Sequence, residues 1–282
     1  METPSKDSKM EKETEYLLLL GLLYQVIKEN KNSPAGQNGR FLEAEGLALK
    51  LFSHSASAFC LSRGTTIKDF PSLKINFFDP ASIHVLTRAI LETFLTFHYV
   101  FVAPKTNQMR DFHYWAWQLG GPCERQKFPV RSPEGKKKLK EEKQNIKELQ
   151  DNLKSNQVFQ SLKEKQQDKT LTGRWRQKSW RNIALDAGFN ELHASAIYSY
   201  LCEYAHSGSL STLQIRQAKT KKIQRSLFGG SMNVIMIAIA NMTFSYCRIF
   251  PKGNKALEKN PQATNLARVW VNVAQQTNTT DK

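Results

Sequence analysis

The chain has 282 residues, 40% hydrophobic and 23% charged, which is enough apolar material for a sizeable core and argues against a disordered composition. Its formal charge of +16 favours contact with nucleic acid, anionic lipid or an acidic protein, and says nothing about fold. The four cysteines, Cys60, Cys123, Cys202 and Cys247, are scattered and make no CxxC pair, which argues against a disulfide framework or zinc site and for a reducing, cytoplasmic setting.

Residues 1–11 are polar, carry both signs of charge and lack the apolar core of a signal peptide, so a loose tail is expected. Residues 12–30 are rich in Leu and read as a helix, and KNSPAGQNG after them collects breaker signals. Residues 40–62 predict a second helix with apolar positions Leu42, Leu47, Leu51, Phe52 and Phe59. Gly64–Phe78 contains Pro71 and reads as a long loop with a short extended piece. Asp79-Pro80 then opens a helix cleanly, since Asp caps free N–H groups and Pro is pre-shaped for the first helical position. That helix runs to about Ala103 and stops before Pro104. The next, about Thr106–Leu119, carries Trp115 and Trp117 and is expected to end at Gly120-Gly121-Pro122.

Residues 133–168 read as a long charged helix. Leu139, Ile146, Leu149, Leu153, Val158, Phe159 and Leu162 make one narrow apolar stripe rather than a sustained heptad. The arm is therefore expected to pack one face on the body, or to reverse near Ser155-Asn156 as a helical hairpin. Ser179 caps a short helix ending at Gly188, and Asn190 caps another running to about Ser207. A basic helix follows over 210–225, then an apolar helix over 231–249, then a last helix, Pro261–Gln275, with Val269, Trp270 and Val273 as its apolar side. The run Met232–Cys247 is uncharged but holds Asn233, Asn241, Ser245 and Tyr246, which favours a buried core helix over a membrane span. The whole reads as an all-α, multi-helix bundle. One domain covers 12–275, the 133–168 arm projects from it, and 1–11 and 276–282 are tails.

Three constellations carry candidate chemistry. On the apolar helix after Pro80, His84, Arg88 and Glu92 recur every four residues and share a face. They form either an anion-binding or acid/base site, or a structural ion pair. Glu203 and His206 form an E-x-x-H pair, half of a carboxylate-bridged di-metal arrangement, but the chain has no second E-x-x-H. If the two helices pack together, Arg88, Glu92, Glu203 and His206 converge as anion clamp, acid and base. The R-x(4–6)-H spacing of helical nucleases is absent. The third constellation is GRWRQKSWRN, where Arg174, Trp175, Arg176, Lys178 and Arg181 mix cations with aromatic faces suited to a nucleic-acid backbone and stacked bases. No P-loop, GxGxxG, GxSxG or HExxH occurs, so neither cofactor nor metal is expected.

The R-x-x-x-E of Arg88–Glu92, the KSWRNIALDAGF segment at 178–189 and the tyrosine-rich Tyr198–Ser207 helix resemble an uncharacterised family of bacterial all-helical proteins, the domain of unknown function numbered 5677. The resemblance implies a helical domain in which Arg88, Glu92 and His206 form a shared polar centre, and it brings no activity. Two functions stay open. One is a binding or interaction module whose basic surface meets nucleic acid or an acidic protein. The other is a hydrolase acting on RNA through Arg88, Glu92, Glu203 and His206.

Overall fold

A computed structural model of the protein describes residues 6–30, 39–70 and 73–276. Among them are thirteen α-helices and one two-stranded hairpin, an all-α fold. The described chain divides into two compact units. The first is built from both ends of the chain, up to Phe97 and from Trp180 onward, and the second is His98–Ser179.

The first unit is organised on α11 (Lys221–Ile249). Val234 through Ala240 are all buried, so this helix is enclosed on every side. Around it pack α1 (Lys6–Asn30), α2 (Gly39–Ser62), α3 (Pro80–Phe97) and α13 (Pro261–Gln275). By length and composition α11 and the stretch Pro80–Val102 are able to cross a membrane, but most of their apolar windows are buried inside the fold. On α2 the buried stripe is Ala44, Ala48, Leu51, Ser55, Ala58 and Phe59, at helical steps of three and four. The helix packs chiefly on α3, and Phe59 at the end of the stripe stacks on Tyr16 of α1. Leu42, expected in that stripe, is 54% exposed. Ser82 N–H donates to Asp79 Oδ1 at 3.0 Å, which starts α3 where Asp79-Pro80 predicts.

Several elements differ from expectation. The helix α1 begins at Lys6, inside the expected tail. The expected breaker segment, except Gly39, and the expected C-terminal tail, except Gln276, lie outside the described residues. Gly64–Phe78 is not a loop but a hairpin, β1 (Thr65–Phe70) and β2 (Leu73–Phe77), paired antiparallel from Thr65↔Phe77. Alternation places Ile67, Ile75 and Phe77 on one face, and this pattern outweighs the breaker signal of Pro71. The basic segment is two helices, not one. The first, α10 (Ser209–Gln217), ends at Ala218, and Thr220 then caps α11 by accepting from the Ile223 N–H. On α13 the buried side is Ala263, Ala267, Trp270 and Ala274, and Val269 and Val273 face outward.

In the second unit α4 (Asn107–Arg125) is capped by Thr106, whose hydroxyl accepts from Met109 N–H. It continues through Gly120-Gly121-Pro122 instead of stopping there. A Cβ on Gly120 would lie 3.1 Å from Trp175 Cδ1 and 3.2 Å from the Gly173 carbonyl. Close packing at that point offsets the poor helix propensity of the glycine pair. The charged stretch is three helices: α5 (Pro133–Lys154), α6 (Gln157–Gln160) and α7 (Glu164–Leu171). Ile146, Leu149 and Leu153 of α5 pack on Phe112, Ala116 and Leu119 of α4. The chain breaks at Ser155-Asn156, where the Asn156 side chain caps Val158 and Phe159 and donates to the Gln108 carbonyl on α4.

Leu153→Ala removes a fully buried anchor of this unit and is expected to lower stability by about 2–5 kcal/mol, read from urea denaturation. Lys137→Ala, on the exposed side of the same helix, is the control and should change the midpoint little.

Candidate functional site

The polar centre is assembled by α3 and α9 (Tyr198–Ala205), which pack together. Arg88 and Glu92 are one turn apart on α3. Tyr198 opens α9 and His206 follows its last residue, so one turn of α3 reaches both ends of the two-turn α9. Arg88 Nε donates to Glu92 Oε1 at 3.0 Å, and the Tyr198 hydroxyl donates to the same oxygen at 2.7 Å. Arg88 Nη1 lies 3.0 Å from His206 Nε2. A guanidinium has donors only, so this bond makes Nε2 the lone-pair nitrogen of His206 and places the ring proton on Nδ1. The Arg88 guanidinium also lies 5.7 Å from the Tyr198 ring centroid.

The cluster is neither sealed nor open. The Arg88 and Glu92 side chains are 20% and 28% exposed, and His206 is exposed. Burial pulls the Arg88 pKa down, but the Glu92 carboxylate and Tyr198 outweigh it and hold the guanidinium above its ordinary value. Burial, and then the bond to Glu92, push the Tyr198 phenol well above its usual range, so it stays a donor. Arg88 and Glu92 therefore pair as the four-residue spacing suggests, and His206 joins them because α9 packs on α3. Glu203 does not join them and lies over the backbone of Gly208. Tyr198 is the partner that candidate selection by charge passes over. Its signal is its position two turns before His206.

His84, at the head of the same stripe, has a separate environment. It is fully buried, with Nδ1 2.6 Å from Ser231 Oγ on α11. Its ring lies 4.0 Å from that of Tyr204 and meets Tyr200 edge-on at 5.3 Å. The Tyr204 and Tyr200 hydroxyls both donate to Gln214 Oε1, at 2.7 and 3.1 Å. Nε2 of His84 is buried without a hydrogen-bond partner, and burial lowers the imidazole pKa to about 4. The stripe thus splits into a neutral interior histidine and an ion pair that reaches the surface.

The His98–Ser179 unit carries a cleft of about 620 Å³. One wall is Trp117, Gly120, Gly121 and Glu124 of α4, and the other is Gly173, Arg174, Trp175 and Arg176. Gly173 has φ +92, and a Cβ there would meet Cys123 Cβ at 2.7 Å, so only glycine lets the chain turn this close to α4. The Trp175 ring rests against Tyr99 at 5.8 Å, and Arg176 lies over the Trp175 ring at 5.6 Å. Trp117 meets Phe101 edge-on at 5.9 Å. Glu124, the carboxylate of the lining, is engaged by Lys127 Nζ at 2.6 Å.

Of the five residues proposed for nucleic acid, Arg174, Trp175 and Arg176 line this cleft and Lys178 belongs to the same unit. Arg181 falls in the other unit, and the Glu191 carboxylate holds its guanidinium with two bonds of 2.7 Å. No group of three His, Cys, Asp or Glu side chains among the described residues is placed to hold a metal ion.

A protein-family model described as a family of unknown function (DUF5677) matches residues 46–222. The match covers more than half of the chain, so the protein belongs to that family. It takes in both the polar centre and the cleft. No curated protein and no solved structure matches.

Glu92→Ala leaves Arg88 half-buried without its counter-charge and is expected to cost about 1–3 kcal/mol. Combined with Tyr198→Phe it should cost less than the sum of the two single changes, because both remove bonds to one oxygen; urea midpoints of the cycle test this. A second expectation concerns acid. The folded His84 value of about 4 lies below the ordinary 6.5, so between those values the unfolded chain binds the extra proton. Stability therefore falls as pH drops from 7, by about 2 kcal/mol at pH 5 from this group. His113 and His193, also lowered by burial, act in the same direction. Urea denaturation at pH 7 and pH 5 should show the loss, and His84→Gln should flatten it.

Proposed function

We propose that this member of the family binds single-stranded nucleic acid through its His98–Ser179 unit. The observation that carries the reading is the cleft, where Trp117 and Trp175 supply aromatic surface and Arg174 and Arg176 supply charge around one volume of about 620 Å³. That size suits a nucleotide-scale ligand. Bases stack on aromatic faces whatever their sequence, and guanidinium groups engage the phosphates between them. The surroundings favour an anion. Residues 98–179 hold eighteen Lys and Arg against nine Asp and Glu, a net +9 of the chain's +16. In this reading the Arg88 centre is a structural clamp, because Nε and Nη1 of Arg88 bridge Glu92 on α3 to His206 at the end of α9.

A hydrolase is the second reading, favoured by one observation: His206 stands at the surface with its ring 3.0 Å from Arg88 Nη1, an imidazole next to an anion clamp.

A fluorescein-labelled oligonucleotide titrated with the protein should bind with an affinity that falls steeply as salt rises. Arg174→Ala should weaken binding several-fold, and Trp117→Leu by roughly tenfold if a base stacks there. Salt-independent binding, or none, removes the nucleic-acid reading. If wild type cleaves the oligonucleotide and Arg88→Ala, at equal folded content, does not, the hydrolase reading replaces it.

A further inference from the structure

A surface on the other unit combines charge with a different apolar partner. From Tyr204 to Leu257 the chain contains no Asp or Glu. Within this stretch Arg216, Lys219, Lys221, Lys222 and Arg225 crowd the end of α10 and the start of α11, and all are exposed. In the same stretch Leu210, Leu213, Ile215 and Ile223 are 39–47% exposed. Sixteen large hydrophobic side chains are exposed among the described residues, and these four fall within fourteen positions. Single exposed aliphatics are ordinary; here Leu210 and Leu213 are three residues apart and share a face of α10, and Ile223 stands on the first turn of α11, so apolar surface is grouped along one basic stretch.

The patch extends past α11. The Arg225 guanidinium lies 4.7 Å over the ring of Phe78, so the end of the hairpin adjoins the first turns of α11. Next to Phe78, Phe77 is 39% exposed and shares a strand face with Ile67, which is 38% exposed.

The pairing of cations with aliphatics selects the occupant. Nucleic-acid phosphates would satisfy the lysines and arginines but leave four Leu and Ile side chains in water, and of the two rings at the edge of the patch, Phe77 and Phe78, the second is already covered by the Arg225 guanidinium. A protein partner would have to present a hydrophobic groove and a row of carboxylates together. The surface of an anionic bilayer presents both everywhere: headgroup charge for the cations, and the boundary between headgroups and acyl chains for the aliphatics. Lys and Arg stems also lie well across such a boundary, with their apolar part inward and the charge at the headgroups. We propose that α10 and the first turns of α11 form a docking surface for anionic lipid. The contact is peripheral, since the apolar length of α11 from Val234 to Ala240 stays buried in its own unit.

Flotation of the full-length protein with vesicles tests this. One set is phosphatidylcholine alone, and the other contains phosphatidylglycerol as well. The protein should float with the anionic vesicles and not with the neutral ones, and salt should release it. Leu213→Gln with Ile223→Gln should lower the bound fraction by roughly tenfold at unchanged melting temperature, and Lys219→Glu with Lys222→Glu should do the same. Oligonucleotide binding by the Leu213→Gln, Ile223→Gln variant should match wild type, which separates this surface from the cleft. Failure to float with anionic vesicles, equal flotation with neutral ones, or wild-type flotation of both variants overturns the proposal. So does a charge-reversed variant that loses the oligonucleotide and still floats, because the cations then serve nucleic acid.

Discussion

Arg88 holds α9 onto α3, and the shape of that side of the first unit depends on it. One guanidinium spans from Glu92 on its own helix to His206 just past the end of α9, while Tyr198 at the start of α9 reaches back to the same carboxylate. Fixed at both ends, α9 presents Leu201 and Tyr204 inward. Tyr204 then covers His84 and, with Tyr200, donates to Gln214 of α10. The turn after His206 uses Ser207 at φ 55 and Gly208, and α10 starts there. The position of the basic, aliphatic-rich α10 is thus set by contacts that begin at one arginine. This favours the structural reading of the centre, because the same bonds that would define a catalytic constellation are the ones that seat α9.

The parts of the fold legible from sequence are those decided locally. Asp79-Pro80, Thr106, Asn190 and Pro261 start helices where expected, because a cap or a proline acts within one turn of itself. The elements that differ are decided at a distance. Gly120-Gly121-Pro122 reads as a stop until Gly173 and Trp175 are known to press against it. The hairpin reads as a loop because Pro71 is conspicuous, and the alternation of Ile67, Ile75 and Phe77 becomes decisive only once the two strands pair. The division at Phe97 and Ser179 leaves no mark in sequence either. Its boundaries fall inside one apolar stretch and one basic, tryptophan-bearing stretch, neither of which looks like a linker.

The candidate sites show the same split. A four-residue spacing is enough to pair Arg88 with Glu92, but joining His206 requires that α9 pack on α3 across 118 positions of sequence. Glu203 looks the equal of His206 in an E-x-x-H motif, yet α9 ends between them. His206 leaves the helix at φ −105, and Glu203 turns toward Gly208. In the cleft the basic, aromatic wall at Arg174–Arg176 is conspicuous in sequence, and the opposite wall of two glycines and Trp117 is not. A run of residues names at most one side of a site. The other side comes from a segment whose own composition points elsewhere.

Charge sets the remaining constraint. A chain with a net +16 repels itself, so its interior has little tolerance for an unbalanced cation. Between Pro80 and Val102 there is one cation and one anion, Arg88 and Glu92, and they neutralise each other within a turn. The third polar group of the stripe, His84, is buried and held neutral. The apolar helix therefore crosses the unit without net charge, and the excess is left to surfaces. There it gathers in two places with different companions, indoles around the cleft, whose lining keeps the single carboxylate of Glu124, and aliphatics on the acid-free α10 and α11. Charge alone attracts any polyanion. It is the neighbouring apolar chemistry, rings in one place and branched aliphatics in the other, that separates a surface suited to bases from one suited to acyl chains.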